Sequence, residues 1–597
     1  MELLNLDGVI EKGVFEIPSY QRGYAWQIRQ LKDFWNDLEH VSKLGDKFHY
    51  MHSLTLRETE NDFENSAFEI IDGQQRLATS LILLGLLAKT TQNKDPKYSL
   101  INLEPILSYK YYGLSEAFRA ITEEEKDLEK FKASFYAKNL IKAYTFFKEK
   151  ISDTPVGTLE KMFDALIKKM LFSVVGLNDN RIDPFSSFET INNRGKDLST
   201  LELLKNRLHF VAHKICDEGD LENLQNEIND TYTRIYYDLR RFKDDHLESF
   251  LKHFVAYYYG EKRDFKERLL NTEFDAHKKY DDLYDEYEKI NDLLLHLSYS
   301  SKVWYFLHTL DDEELRIEIT PKMHGLLDKM RRLNALSENA FLPLLLSLLT
   351  IQLVKKSANE QPYTTQELEG LLEYLERFGF LIYGVADSKN TAKNEWIKSA
   401  FRAFRAYKLW EDKITIEDLP TLEKNFFKEK HSGLELLEEY ILSKKNTEKW
   451  YEWGKALNYL LYEYELHHNP ETTLNFDSSI ESIEHILPQK PDQGYSAKEK
   501  SWAKNPNIVH ALGNLLLIPK NANSSLSNKP FEEKRKEYLK GSYSEKEVAK
   551  NASFGVAQIK ERSEKLLDFL IARYRIAELV GESAIKAFKN ALLKDIE

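Results

Sequence analysis

From about residue 216 to 450 the chain passes from one helical pattern to the next with almost nothing to interrupt it. In 236-YYDLRRFKDDHLESFLKHFVAYYY-259, aromatic and leucine residues return every three or four positions, the spacing of a buried helix face. Turn formers are scarce. Fifteen prolines and 23 glycines in 597 residues cannot supply the tight turns of a largely β fold, and no repeat period is visible. A mainly α chain follows. It is too long for one hydrophobic core, so three or four units are expected.

The ends depart from that pattern. Short strand-like runs at Val14–Ile17, Ser53–Leu56 and Phe68–Ile71 alternate with helices, up to the amphipathic series Leu201, Leu204, Leu208, Val211 and Ile215. After a helix expected over Trp450–His467, the stretch 468-HNPETTLNFDSS-479 reads as loop, and Ile480–Pro488 opens a polar unit. Helical patterning returns at Phe531 and Val556. We therefore expect an α+β domain over 1–215, a helical middle over 216–450 and a second α+β unit over 451–597.

Composition excludes several classes. The single cysteine, Cys216, rules out a disulfide framework and any zinc site of several thiolates, which fits a reducing cytoplasm; a metal here has to use His, Asn, Asp or Glu. The first seven residues carry acids and no basic segment, so they do not read as a signal peptide. The longest apolar run, Ala340–Val354, contains Pro343 and is too short to span a bilayer. A net charge of -13 argues against indiscriminate coating of nucleic acid. Residues 490–550 nonetheless hold 12 Lys and Arg against 7 acids, a local balance that suits a phosphate-tracking surface or a solvated helix face.

Two groups of motifs carry the chemistry. In 70-IIDGQQR-76 a strand turns into a helix. Asp72 and Gln75 satisfy a capping box and Gly73 eases the turn, but this leaves Gln74 and Arg76 beside a helix N-terminus, where free amides and the macrodipole favour phosphate. Gln21 and Arg22 crowd with Tyr24 and Trp26 in 17-IPSYQRGYAW-26, the aromatic pair suiting a core role. Asn193 and Arg194 lie in 188-FETINNRGKDLSTLELLKN-206, where Ser199 and Glu202 form a second capping box. Three donor-rich turns would suit one polyphosphate site; 195-GK-196 lacks the glycine pattern of a P-loop.

Near the other end, 483-IEHILPQ-489 precedes 510-HALGNLLLIPKNANSSLSNKPFEEKR-535. Phosphodiester hydrolysis on one metal needs a base, hard ligands for a cation and a group that orients the base. His485 can be the base, Glu484 and Asn523 the oxygen ligands for Mg²⁺ or Mn²⁺, and Asn514 the brace of the loop that holds His485. The alternative is a hydrogen-bonded core histidine with asparagines serving as turn formers.

The set QR-x-Y-x-W, DGQQR and F-x-x-INNRG-x-x-L, followed by E-H-x-x-P, G-N-L-x-L and N-x-x-L-S-N, resembles the GmrSD-type modification-dependent restriction endonucleases. The resemblance implies a ParB-like N-terminal domain that binds and hydrolyses a nucleoside triphosphate, GTP or another, through Gln21, Arg22, Asp72, Gly73, Gln74, Gln75, Arg76, Asn193 and Arg194. It implies a C-terminal HNH nuclease of ββα-metal fold with His485 and Asn514 in catalysis and Glu484 and Asn523 at the metal. Its substrate would be modified phage DNA; no membrane is involved, and a homo-oligomer is compatible with it. Ala78, Ser53 and Glu484 depart from commoner residues of the family. An NTP-dependent DNA sensor without cleavage and an HNH ribonuclease toxin are the rival readings.

Overall fold

A computed structural model of the chain describes residues 2–597 apart from 60–66, 93–95, 99–105, 111–112, 123–126, 133, 178–197, 243–244, 262–263, 277, 281, 314, 316, 358–361, 386–389, 423–448, 475–479, 492–493, 595 and 597. The chain is mainly helical with a small sheet toward each end, as the sequence pattern predicts. It divides into two compact units, Met1–Phe306 and Leu307–Glu597. The segment 216–450 is thus shared between them. Among the described residues no helix is long and apolar enough to cross a membrane; the helix Leu342–Ser357, which contains Pro343, is buried within its own unit.

The first unit is built round a six-stranded mixed sheet. Its strands are β1 (Glu2–Asn5), β2 (Val14–Ile17), β3 (His49–Thr59), β4 (Ala67–Asp72), β5 (Leu107–Tyr109) and β6 (Met170–Gly176), in the order β1-β6-β3-β4-β2-β5. β4 runs antiparallel to β3 and parallel to β2, so the end of β4 emerges beside the residues that follow β2. Helix α1 (Ile28–Lys43) buries Leu31, Phe34, Trp35 and Leu38. Helix α2 (Gln74–Thr90) is apolar on every side and almost wholly buried, packed by α3 (Phe135–Ser152) and α4 (Val156–Lys169). Each enclosed leucine contributes about 1.5–3 kcal/mol. Helix α5 (Thr200–Ile215) starts at the expected capping box: Glu202 N–H donates to Ser199 Oγ at 3.2 Å, and Ser199 N–H to Glu202 Oε2 at 2.7 Å.

In the second unit, the expected helix over Trp450–His467 is broken at Gly454 into a short turn, Lys449–Trp453, and α8 (Lys455–His468), with α6 (Pro321–Ser337) and α7 (Thr365–Phe378) earlier in the chain. β7 (Glu481–His485) then pairs antiparallel with β8 (Leu515–Pro519), opposing His485 to Leu515. Helices α9 (Lys520–Leu526), α10 (Phe531–Tyr538) and α11 (Val556–Arg573) follow. The start of β8 is clamped from α11: Arg562 Nη1 donates to the carbonyls of Gly513 and Leu515 at 2.9 and 2.8 Å, and Gly513 N–H donates to Ser563 Oγ at 2.8 Å. A Cβ on Gly513 would lie 2.0 Å from Ile559 O. Gly513→Ala is therefore expected to destabilise the second unit by about 1–3 kcal/mol or more, read as a lowered urea midpoint.

Candidate active site

In the first unit the motif residues meet at the start of α2, in a different arrangement from a capping box. Gly73, not Asp72, caps the helix, at φ 99°. A side chain there would also press on Leu54 Cδ1 at 2.9 Å and Ser53 O at 3.0 Å. Gln75 is drawn away from the cap: its Nε2 donates to Gly23 O at 3.0 Å, and its Oε1 accepts from Ala25 N–H at 2.8 Å. Gln74 Nε2 donates to Arg22 O at 3.0 Å. In the other direction, Gln21 Nε2 donates to the carbonyls of Ile70 and Ile71, the latter at 3.1 Å. These glutamines stitch the loop after β2 to the joint between β4 and α2.

Asp72 and Arg76 form an ion pair at 3.0 Å; Arg76 Nη1 also donates to Met51 O at 3.0 Å, and Ser53 Oγ to Asp72 at 3.2 Å. Both charged side chains remain about one-fifth exposed. The amide oxygens of Gln21 and Gln74 are buried without a hydrogen-bond partner among the described residues. Tyr24 and Trp26 take the core role expected of them: Tyr24 is buried with its hydroxyl 2.7 Å from Thr79 Oγ1, and Trp26 leans on Phe34. Lys205, on α5, was not singled out from sequence. It is buried, it donates to Ser19 O at 2.6 Å, and desolvation holds its pKa well below the usual lysine range. Asn193 and Arg194 lie outside the described residues.

The second unit has the strand–strand–helix arrangement expected round His485. Asn514 is fully buried and braces the turn after β7: Leu487 N–H donates to its Oδ1 at 2.7 Å, and its Nδ2 donates to Leu487 O at 2.9 Å and Val509 O at 2.7 Å. Asn523 reaches from α9 to β7, with its Nδ2 2.8 Å from Ser482 Oγ and 3.0 Å from Ile483 O. The histidine itself sits against a second imidazole, His485 Nε2 lying 3.1 Å from His510 Nδ1. Tyr451 covers both rings, and Gln489 Nε2 stands 3.3 Å from His485 Nε2. Burial, then His510 and Lys534, push the pKa of His485 down to about 3, so it is neutral at ordinary pH.

Glu484, expected as a cation ligand, has other partners here. The fully buried Lys534 donates to Glu484 Oε1 at 2.6 Å, to His485 O at 2.9 Å and to Ile486 O at 3.4 Å, and Tyr538 OH donates to Glu484 Oε1 at 3.1 Å. Desolvation raises the Glu484 pKa and lowers that of Lys534. A cation on this carboxylate would lie next to a fixed ammonium group, so Glu484 as arranged does not fit the metal. Asn523 does fit as a neutral oxygen ligand, since its amide nitrogen is engaged and its carbonyl oxygen is the remaining acceptor. Among the described residues, no three His, Cys, Asp or Glu side chains converge on a common point.

Comparison with known families finds two matches. Residues 3–209 match the N-terminal domain of the GmrSD restriction endonucleases, and residues 437–569 match the C-terminal domain of the GmrSD restriction endonucleases. No curated protein matches the chain.

The low pKa of His485 has a consequence for stability. The unfolded imidazole titrates near 6.5, so between pH 6.5 and about 3 the unfolded chain binds one more proton at this position. The contribution is intact above pH 6.5 and falls on acidification by about 1.4 kcal/mol per pH unit. Urea midpoints of wild type and His485→Gln are expected to diverge over that window, the wild type falling faster. Parallel curves would contradict a neutral, buried His485.

Proposed function

The chain belongs to the GmrSD restriction endonuclease family, both of whose domains it carries in order, and from that premise we propose that it is a nucleotide-regulated DNA endonuclease that cuts modified phage DNA. The family makes it a restriction nuclease; the mechanism, the nucleotide and the modified substrate are our reading. The observation that carries it is the neutral, partnered imidazole of His485 between two braced elements, β7 and the segment leading into β8. In this mechanism His485 takes a proton from water while the water oxygen bonds to phosphorus. The P–O bond to the departing sugar oxygen breaks, that oxygen takes a proton from a second, solvent water, and His485 afterwards returns its own proton to solvent.

A base with a pKa of about 3 is weak. The anionic phosphate of the substrate, placed within a few ångströms, favours the imidazolium and raises that value toward the range useful for general base catalysis. His510 acts through His485 as a positioning residue, fixing the ring and its tautomer. Lys534 positions the same residue from the backbone side, through the carbonyls of His485 and Ile486. Mg²⁺ or Mn²⁺ belongs to the proposal: Asn523 Oδ1 would hold it together with phosphate and water oxygens, and it would polarise the scissile phosphate.

For the first unit, the proposed nucleotide site is the start of α2. Gln21, Gln74 and Gln75 build the joint, and Arg76 would exchange Asp72 for a phosphate. The amide oxygens of Gln21 and Gln74 are buried acceptors without a partner among the described residues, so the phosphate grip itself falls to Arg76. Arg22, Asn193 and Arg194 complete the proposed set.

Full-length protein incubated with modified phage DNA, unmodified DNA and total RNA, with and without GTP and Mg²⁺ or Mn²⁺, is expected to cut modified DNA alone. His485→Ala should abolish cutting while leaving NTP hydrolysis intact. His510→Ala should lower kcat and shift its pH profile. Cleavage of RNA would favour the toxin reading, and NTP hydrolysis without cleavage would favour the sensor.

Arg76→Ala is expected to weaken transition-state binding in NTP hydrolysis by about 2–4 kcal/mol; unchanged turnover would leave 70-IIDGQQR-76 a purely structural joint. If nucleotide regulates DNA engagement, GTP must change DNA affinity by the same factor by which DNA changes GTP affinity. Both dissociation constants are measurable in His485→Ala, and equal DNA affinity with and without GTP would remove coupling at the level of binding.

A further inference from the structure

Within the second unit there is a cavity of about 510 Å³ that belongs to neither site described above. One wall is the first half of α6, and the others come from the end of α7, the end of α8 and the residues that close α11. Its volume lies within the range of small-molecule sites, roughly 300–1,000 Å³.

Charge sets this cavity apart. The chain as a whole has 97 acids against 84 Lys and Arg, yet the cavity is lined by five cations, Lys322, Lys329, Arg377, Arg573 and Arg575, and by two carboxylates, Glu373 and Glu376. Two of these cations are locked. Arg573 Nη2 lies 3.0 Å from Glu376 Oε2 and 3.2 Å from Glu463 Oε2, and Lys329 Nζ lies 2.7 Å from Glu463 Oε2. Both of these carboxylates are buried, and Tyr459 OH donates to Glu376 at 2.8 Å. Their charges offset one another and hold the two cations in fixed directions.

Of the other three cations, Lys322 and Arg575 are the more exposed. Arg377 is anchored by two carbonyls, its Nε and Nη2 donating to Tyr574 O and Arg575 O, both at 2.8 Å, and it pairs with the exposed Glu578 at 3.3 Å. Arg575 stands at φ 47°, an uncommon conformation for a residue with a side chain. Its ion pair with Glu578 is loose, at 3.8 Å, and the side chain is 55% exposed. Lys322, also 55% exposed, pairs with Glu373 at 2.8 Å and with the half-buried Glu369 at 3.3 Å. Pro321, Leu326 and Leu466 add apolar lining to the same cavity.

We propose that this cavity binds a phosphate-bearing molecule of nucleotide size, its phosphate held by Lys322, Arg377 and Arg575 and its apolar face laid on Pro321, Leu326 and Leu466. Guanidinium groups present planar pairs of donors that match phosphate oxygens. The phosphate could come from a free nucleotide or from the 5′ end of DNA. The inference holds whether or not the start of α2 binds nucleotide.

The test uses the full chain carrying Arg76→Ala, which separates this cavity from the first unit. ATP and inorganic tripolyphosphate are titrated calorimetrically, at low and at physiological salt, into this protein and into the same protein with Lys322→Ala and Arg575→Ala. Both added substitutions are at exposed side chains, and an unchanged melting temperature checks the fold. Binding of both probes is expected in the parent and is expected to fall about 10–100-fold in the variant, with Arg575→Lys retaining most of it. Affinities within twofold of each other, or no binding of either probe to the parent, would overturn the proposal. Competition with ATP by a 5′-phosphorylated dinucleotide but not by its unphosphorylated form identifies a DNA end as a source; absence of competition identifies the free nucleotide.

Discussion

The ammonium group of Lys534 is fully buried, and the arrangement round His485 depends on what that charge requires. A buried cation needs an opposite charge and further acceptors, and removing one partner of such a pair costs about 3–5 kcal/mol. Glu484 supplies the charge, and the carbonyls of His485 and Ile486 supply the acceptors. Three consecutive residues of one strand and its turn are thus tied to a single atom on α10. Asn514 ties the next residue, Leu487, from the other side. The backbone that carries His485 is held at both ends before any substrate arrives.

The first unit solves a related problem with neutral groups. Helix α2 is apolar throughout, so it must lie deep in the unit, and its polar start is carried in with it. Side-chain amides meet that demand because each offers a donor and an acceptor without charge. Gln75 uses both on residues 23 and 25, while Gln21 and Gln74 use their donors on backbone carbonyls and keep their oxygens. The one charged pair of the motif, Asp72 with Arg76, is left at the partly exposed edge. Burial therefore sorts the motif into an enclosed structural part and a part at the solvent edge.

What could be read from sequence was whatever is local. Strands at 14–17, 53–56 and 68–71 announce themselves by short apolar runs, and the Ser199–Glu202 cap by its three-residue spacing. Asn514 as a brace and the strand–strand–helix order of the His485 region were also legible, because each motif lies close to the element it serves. Long-range partner choice was not. Lys534 lies 50 residues from Glu484, in a run of charges that reads equally well as a solvated helix face. His510 carries no periodic signal that links it to His485. The capping box at Asp72 failed for the same reason: Gln75 satisfies the local pattern, but a tertiary partner about 50 residues away competed for its side chain and won.

These constraints bear on when the nuclease is reactive. His485 is enclosed by Tyr451, Gln489 and His510, with Lys534 close behind its backbone. Among the described residues, burial and the positive or neutral groups His510 and Lys534 hold its pKa down, and Glu484 is engaged by Lys534. The imidazole is consequently a poor proton acceptor in the free protein, which under the proposed mechanism limits idle hydrolysis. An anionic phosphate is the group whose arrival reverses that balance, so under the proposed mechanism the substrate itself supplies the charge that makes the base effective. A rigid backbone is what makes this workable, since a histidine free to swing toward solvent would regain its ordinary basicity without any substrate present.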